Sequence, residues 1–316
     1  MLLSIIIPVY NVEKYIKKCL DSILIQKNMI DVEILCIDDG STDSSGNICD
    51  LYGKIDNRIK VFHKKNEGVA ATRNFGLNKS KGDYIAWIDP DDYITNDWYL
   101  SIEPLLKKNI DIIFFDYIIL KNKKNKRINY YSKSQFIEKE NFLEEVILDE
   151  KMKSQLWHKI YKRELMKNII FPNIKVMEDY MVLPKLILKS NTIYYLAKAI
   201  YVYRIREDSL TKDVNFEKSY MYYINAKKRY KWLLNKKIKV FKLGYLKYAL
   251  SMYVQYLKIK REHKKNYKKI FIECKNELDK NKKEMILIMF MRTSKITKIK
   301  FMLYYLNLLK IFLYFR

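Results

Sequence analysis

Residues 84–94, "YIAWIDPDDYI", end an apolar run in three carboxylates, Asp89, Asp91 and Asp92, with Pro90 among them. On a strand, positions i and i+2 point the same way, so Asp89 and Asp91 share one side. Carboxylates at that density repel one another and are costly to desolvate, which calls for a positive partner. Paired hard oxygens suit Mg²⁺ or Mn²⁺, ions that keep several waters and take substrate phosphates as further ligands. Asn11 in "PVYN" and Asp38 and Asp39 in "IDDGSTD" also close apolar runs, and Glu178 and Asp179 in "MEDY" form a second acidic pair. A plainer reading stands beside each: short acidic triplets cap turns, and acid gathers in the first turn of helices.

These residues need elements to position them. "LLSIIIPVYN" reads as a buried strand stopped by Pro8 and Asn11. "VEKYIKKCLDSILIQ" carries apolar residues at Val12, Ile16, Leu20, Ile23 and Leu24, a helical stripe. "VEILCIDDGSTD" is a second strand, after which Ser41 or Thr42 is placed to cap a helix running through Tyr52. "RIKVFHKKN" is a third strand, "GVAATRNFGLNKS" a third helix with Gly82 just past its end, and "DYIAWIDPDD" a fourth strand. Strand and helix alternating in this way predict an α/β unit with a parallel sheet, whose ligand lies beyond the carboxyl ends of the strands. Asn11, Asp38, Asp39, Asp89, Asp91 and Asp92 all stand at such ends. Farther on, "DIIFFDYIIL" is a strand and "KNKKNKR" a basic loop or hairpin tip. "NFLEEVILDE" and "LWHKIYKRELMKN" carry helical patterns, and "TIYYLAKAIYVYRIR" reads as two short strands.

The formal charge of +25 invites a nucleic-acid reading, but its distribution opposes one. Residues 1–120 hold 14 Lys/Arg against 18 Asp/Glu, while residues 121–316 hold 47 against 18. The surplus belongs to the C-terminal part, which from about Phe216 is Lys- and Tyr-rich amphipathic helix. An AT-rich genome explains abundant Lys, Asn, Ile and Tyr; attraction to an anionic membrane or a phosphate-bearing substrate explains it as well. Residues 294–316, "SKITKIKFMLYYLNLLKIFLYFR", have the composition of a helix lying in a membrane interface, or of an ordinary packed helix with exposed lysines. The apolar run within them, Phe301 to Phe315, broken by Asn307 and Lys310, is too short and too interrupted to span a bilayer, and no run of 18 apolar residues exists. Cys19, Cys36, Cys49 and Cys274 lack CxxC spacing and read as reduced thiols, and the N-terminus lacks the marks of a secretory signal. The expected location is therefore cytoplasmic, with a peripheral place on the inner face of the cell membrane.

Six motifs occur in order: "SIIIPVYN", "IDDGSTD", "NEGVAATRNFGL", "GDYIAWIDPDD", "LWHKIYKREL" and "MEDY". Together, over about residues 2–210, they resemble the nucleotide-sugar glycosyltransferases of family 2, of bacterial surface-polysaccharide type. The resemblance implies the GT-A fold: an α/β architecture with a Rossmann-like, mostly parallel sheet flanked by helices, here followed by a helical C-terminal region. It implies a catalytic domain over 1–210, with a nucleotide-binding half (1–95) and an acceptor-side half (96–210), before the basic region 211–316. By the same resemblance, Pro8, Tyr10 and Asn11 would line the nucleoside pocket. Asp39, with Asp38 beside it, would accept from the base, most often uracil. Arg73 would face the nucleotide near its diphosphate. Asp89 and Asp91 would hold Mn²⁺ or Mg²⁺, and Asp92 would support the donor site. Asp179, paired with Glu178, would be the general base. Arg204 and Arg206 would lie near the leaving diphosphate. The chain departs from the family pattern at Thr72, at Pro90 and at His158, which leaves His158 open among acceptor contact, metal ligand and packing.

The implied reaction is an inverting transfer from a nucleoside-diphosphate sugar, UDP-linked, to a hydroxyl of a glycan or lipid-linked glycan acceptor. Negative charge grows on the leaving diphosphate, which cations stabilise, while a carboxylate takes the acceptor proton. No enzyme nucleophile is required, in keeping with the lack of a Ser-His or Cys-His signature. Three alternatives are weighed. A nucleotidyltransferase would carry a Gly-rich phosphate loop that "PVYNVEKY" lacks; a nucleic-acid-binding protein is opposed by the acidic first 120 residues; an inactive scaffold is opposed by the intact acidic set.

Overall fold

Leu3–Val9 (β1) and Val32–Asp38 (β2) are buried at every residue, which is why their sequences run apolar without alternation. The computed structural model describes residues 2–29, 31–122, 124–206, 215–238, 243–259, 264–283, 295–306 and 308–309. The remaining strands are β3 (Ile59–His63), β4 (Tyr84–Trp87), β5 (Tyr93–Ile94), β6 (Ile112–Lys121), β7 (Lys124–Ile128), β8 (Gln135–Phe136), β9 (Lys159–Lys162) and β10 (Ile193–Arg204). They form one ten-stranded sheet in the order β3-β2-β1-β4-β9-β6-β10-β5, with β7 on β6 and β8 on β10. β1 pairs in parallel with both β2 and β4, β2 with β3, and β6 with β10. β9, β5, β7 and β8 run against their neighbours, so the sheet is mixed. Because β1 lies between β2 and β4, the ends carrying Asn11, Asp38 and Asp89 share one edge.

The helices between residues 13 and 189 are α1 (Glu13–Leu24), α2 (Ser45–Ile55), α3 (Val69–Lys79), α4 (Trp98–Lys107), α5 (Lys139–Leu148), α6 (Arg163–Met166) and α7 (Glu178–Lys189). The predicted stripe of α1 is realised with Ile16, Leu20 and Ile23 buried, joined by Cys19. Three local expectations are corrected. α2 starts after Ser44, not at Ser41 or Thr42; those two residues lie in the preceding loop and bond to Asp38 and Asn11 instead. The segment "LWHKIYKRELMKN" holds β9 and a single helical turn, α6, because residues 159–162 fill the slot between β4 and β6 and pair with both. Tertiary ladder bonds there outweigh a local helical pattern. The two strands read from "TIYYLAKAIYVYRIR" are one, β10, whose register shifts between Leu196 and Tyr201 absorb the break in alternation. Of "KNKKNKR", Lys121 ends β6 and Lys124 to Arg127 belong to β7, which pairs antiparallel with it.

The chain divides into two units: Met1–Leu143 with Ser154–Glu207, and Glu144–Lys153 with Asp208–Arg316. The first holds the sheet, with Trp87, Trp98, Phe114, Phe115 and Tyr161 among its largest fully buried side chains. The second contains α8 (Phe216–Asn235), α9 (Leu243–Lys258), α10 (Lys264–Lys280) and α11 (Lys295–Tyr305). Within it, the buried Arg229 guanidinium donates to the carbonyl of Ile147 at 2.8 Å. Glu277 accepts from Lys227 at 2.6 Å and from the Tyr245 hydroxyl at 2.9 Å, tying α8, α9 and α10 together. No helix among the described residues is long and apolar enough to cross a membrane.

Candidate active site

The edge beyond β1 and β2 is built by a tight loop. Asn11 adopts a φ of 48°, a left-handed conformation that Asn tolerates. Its N–H donates to Ser41 Oγ at 3.1 Å, and its Oδ1 accepts from the Thr42 N–H at 2.8 Å. Asp38 and Asp39 are both buried. Asp38 Oδ1 accepts the Ser41 N–H at 3.0 Å. Asp39 accepts the Lys64 ammonium at 2.6 Å, the Glu67 N–H at 3.0 Å and the Gly68 N–H at 2.8 Å. A carboxylate offers about four acceptor sites, and these three bonds take up most of them. Gly40, with φ +70°, makes the turn: a Cβ there would stand 3.0 Å from the Asn66 nitrogen. Tyr10 is exposed beside this loop, whereas Pro8 is buried within β1, in register with Ile37.

Beyond β4 the three carboxylates have different partners. Asp92 is fully buried; it accepts from the Tyr201 hydroxyl at 2.8 Å and from the Arg204 N–H at 2.8 Å. The same Tyr201 oxygen accepts the Asp89 N–H at 3.1 Å, so one phenol fixes both ends of the turn. Asp91 pairs with Arg206 Nε at 2.8 Å. Asp89 faces Arg73 at 3.5 Å, and Arg73 makes its closest contact with Glu178 in a buried ion pair. Burial raises the Asp89 carboxyl to about 6 against the opposing charge of Arg73, with Asp91 and Glu178 adding to the rise. Burial first, then Asp91 and Asp89, push Asp92 well above the carboxylate range.

Arg73 sits on α3 between Trp87 and Phe171, its guanidinium carbon 5.9 Å from each ring. Asn74 clamps the approach to α7: it donates to the Phe171 carbonyl at 2.9 Å and accepts the Phe171 N–H at 2.8 Å. α7 opens on Met177, whose φ of 69° is strained for a non-glycine residue, and so presents Glu178 and Asp179. Glu178 turns inward to Arg73. Asp179 is only partly buried and accepts the Tyr180 N–H at 2.6 Å. Arg204 and Arg206 both lie against Tyr15 of α1, at 5.1 and 5.2 Å, and Arg204 also lies 5.5 Å from Tyr93. Nε and Nη2 of Arg204 are buried without a hydrogen-bond partner, donors that an anionic ligand would satisfy.

Two groups thus emerge on one sheet edge: Asn11, Asp38 and Asp39, and Arg73, Asp89, Asp91, Asp92, Glu178, Arg204 and Arg206. His158 joins neither. It is fully buried, its Nε2 lies 3.1 Å from the Tyr130 hydroxyl and 2.7 Å from Lys159 Nζ, and burial drives its pKa well below the ordinary value. It packs against Trp157, with ring centroids 4.7 Å apart. Tyr15, Lys64, Asn74 and Tyr201 were not among the candidate residues. Only Asn74 had a signal, as the Asn of "TRN"; the others reach the site across elements distant in sequence. A cavity of about 750 Å³ lined by Leu77, Lys81, Arg163 and Met166 opens at the opposite end of β4, away from these carboxylates.

Among the described residues no group of three or more His, Cys, Asp or Glu is placed to hold a metal by itself. Asp89 and Asp91 nevertheless supply two hard oxygens from one turn. Mg²⁺ and Mn²⁺ are ordinarily held by one or two carboxylates with waters and substrate phosphates. The donor set fits that mode.

The family model described as Glycosyl transferase family 2 matches residues 4–175. The chain belongs to glycosyl transferase family 2. Among curated relatives, glycosyltransferase GlyA of Streptococcus pneumoniae is 36% identical over 66% of this chain and 31% of its own length. The poly(ribitol-phosphate) beta-glucosyltransferase of Bacillus spizizenii is 35% identical over 66% of this chain and 33% of its own. The chain thus spans about a third of each. The crystal structure of S. aureus TarS 1–349 superposes with a TM-score of 0.71 at 22% identity, covering 100% of this chain and 92% of that one. Its complex with UDP-GlcNAc gives 0.68 at 21%, over 99% and 91%. The family 2 chain therefore has the GT-A architecture, the fold it shares with TarS.

Proposed function

We propose that this family 2 protein is a glycosyltransferase that moves a sugar from a UDP-sugar to a hydroxyl of a glycan or lipid-linked glycan acceptor, with inversion, in surface-polysaccharide synthesis. The observation that carries the reading is the convergence of Asp89, Asp91, Arg73, Arg204 and Arg206 at one edge, next to the helix that presents Asp179. The complex of the structural neighbour with UDP-GlcNAc supports a nucleotide-sugar donor.

In this reading Asp39 accepts from the base and Tyr10 flanks it. Arg204 and Arg206, held on Tyr15, offer charge and donors to the diphosphate as its bond to the sugar breaks. Asp89 and Asp91 hold a divalent ion, Mn²⁺ or Mg²⁺, which when bound supplies Lewis-acid stabilisation of the leaving diphosphate. Asp179 takes the acceptor proton; Glu178 serves it indirectly, holding Arg73. The test is Asp91→Ala: donor binding should lose its dependence on Mn²⁺ and transfer should fall. Unchanged metal-dependent UDP-GlcNAc binding would remove Asp91 from the site.

The membrane reading has one specific support. On α11, Ile296, Ile299 and Met302 are exposed at helical spacing, beside Lys295 and Lys298. We place this helix against an anionic membrane on the cytoplasmic side. Co-sedimentation with anionic vesicles should drop when the chain is truncated after about residue 285; equal binding discards the idea.

A further inference from the structure

His63, the last residue of β3, lies between two carboxylates. Its Nδ1 is 2.9 Å from Asp38 Oδ2 and its Nε2 is 3.0 Å from Asp50 Oδ1. An ionised carboxylate only accepts, and a neutral imidazole carries a single N–H. Both bonds are made together only by the imidazolium. Gly46 leaves room for the arrangement: a Cβ there would stand 2.9 Å from Asp38 Oδ2 and 3.3 Å from His63 Cε1. Asp38 on β2 and Asp50 on α2 are the titratable groups that meet the ring. Lys64, next in the chain, turns away to Asp39 and Glu67.

Asp38 passes this contact inward. Its other oxygen holds the Ser41 N–H, and Ser41 Oγ holds the Asn11 N–H. A continuous path therefore runs from Asp50 through His63, Asp38 and Ser41 to Asn11. We propose that His63 is a positioning residue for the nucleoside end of the donor site: as imidazolium it anchors Asp38 and the 39–42 loop, and the loop loosens when the ring loses its proton. The inference rests on reading that loop as the nucleoside pocket.

The sign follows from the bonds. Hydrogen bonds donated to Asp38 and then to Asp50 raise the His63 pKa above its ordinary value. The anchoring is complete below the ordinary histidine pKa, about 6.5, and is lost as pH rises through the raised value. A neutral ring keeps one carboxylate and releases the other.

The test compares the full chain with His63→Gln, which donates to one carboxylate at every pH and does not titrate. The first readout is protection of the Ser41 and Thr42 amides from hydrogen exchange, corrected for the intrinsic rate, from about pH 5.5 to about 8.5. In the wild type, protection should fall roughly five- to tenfold as the ring titrates, the loss of one charge-assisted bond; in His63→Gln it should be flat and lower. The second readout is UDP affinity with Mg²⁺ in both proteins. The wild-type to variant ratio cancels titration of UDP and of the metal site, and should decline towards one over the same range. Asp50→Asn should lower the His63 titration midpoint, seen by NMR of labelled histidine, and move the protection curve with it. Flat protection across the wild-type ring titration overturns the proposal, as does a pH-independent affinity ratio. Absence of UDP binding to either protein at every pH would instead overturn the donor reading, with amide protection still deciding the role of His63.

Discussion

Arg73 on α3 and Glu178 at the head of α7, 105 positions apart, form a buried ion pair whose guanidinium also reaches Asp89 at 3.5 Å. The pair fastens the helix bearing Asp179 to the turn bearing the acidic triplet. Glu178→Ala leaves a buried guanidinium short of its main partner. The expected cost is about 3–5 kcal/mol of stability. Chemical denaturation checks it; an unshifted midpoint would mean the pair holds nothing.

In the proposed reading Asp179 is the base and Glu178 holds Arg73, and their variants should separate the two roles. Asp179→Asn is expected to keep donor affinity and stability while transfer drops roughly 10²–10⁴-fold. UDP release with acceptor present, set beside calorimetric binding of the donor, makes the comparison. Transfer that survives in Asp179→Asn places the base elsewhere.

Tyr201 holds Asp92 and the Asp89 backbone with one oxygen. Tyr201→Phe keeps the ring, and with it the stacking on Trp157 at 4.6 Å, but strips a partner from a buried carboxylate. A loss of about 1–3 kcal/mol is expected, together with weaker UDP-sugar binding. Retention of both stability and affinity would show that the turn is set without this phenol.

Asp149 is the carboxylate hub of the C-terminal unit, accepting from Tyr248 at 2.5 Å and Lys247 at 3.2 Å. Burial pushes its carboxyl up, but Lys247, Lys153, Arg229 and the Tyr248 hydroxyl outweigh burial and hold it below the ordinary value. A depressed folded-state pKa gives stability that is present above the ordinary aspartate value, about 3.9, and is lost as pH falls through the lowered one. Thermal melts of the full chain below about pH 4 should therefore converge with those of Asp149→Asn, whereas near neutrality the parent is the more stable. Parallel melting curves across that range would remove Asp149 from the acid response.

Much of the edge that carries the candidate site is legible in the linear chain. Continuous apolar runs ending in Asn11, Asp38 and Asp89 mark buried parallel strands and their ends, because a strand covered on both faces has no polar alternation. The region 159–162 was misread because its pairing with β4 and β6 is non-local, and no short-range pattern encodes it. The continuity of β10 was missed because a bulge breaks alternation just as a loop does.

The sequence by itself determined which chemical groups are present and that they stand at strand ends, since strand period and turn chemistry are local properties. Only the tertiary structure decided which carboxylate meets which cation. Glu178 turns to Arg73, Asp91 to Arg206, Asp39 to Lys64 and Asp38 to His63, each across a separation in sequence that the packing of strands, helices and loops closes. Coulomb energy and desolvation depend on distance in space and on burial, and neither is written in the order of residues.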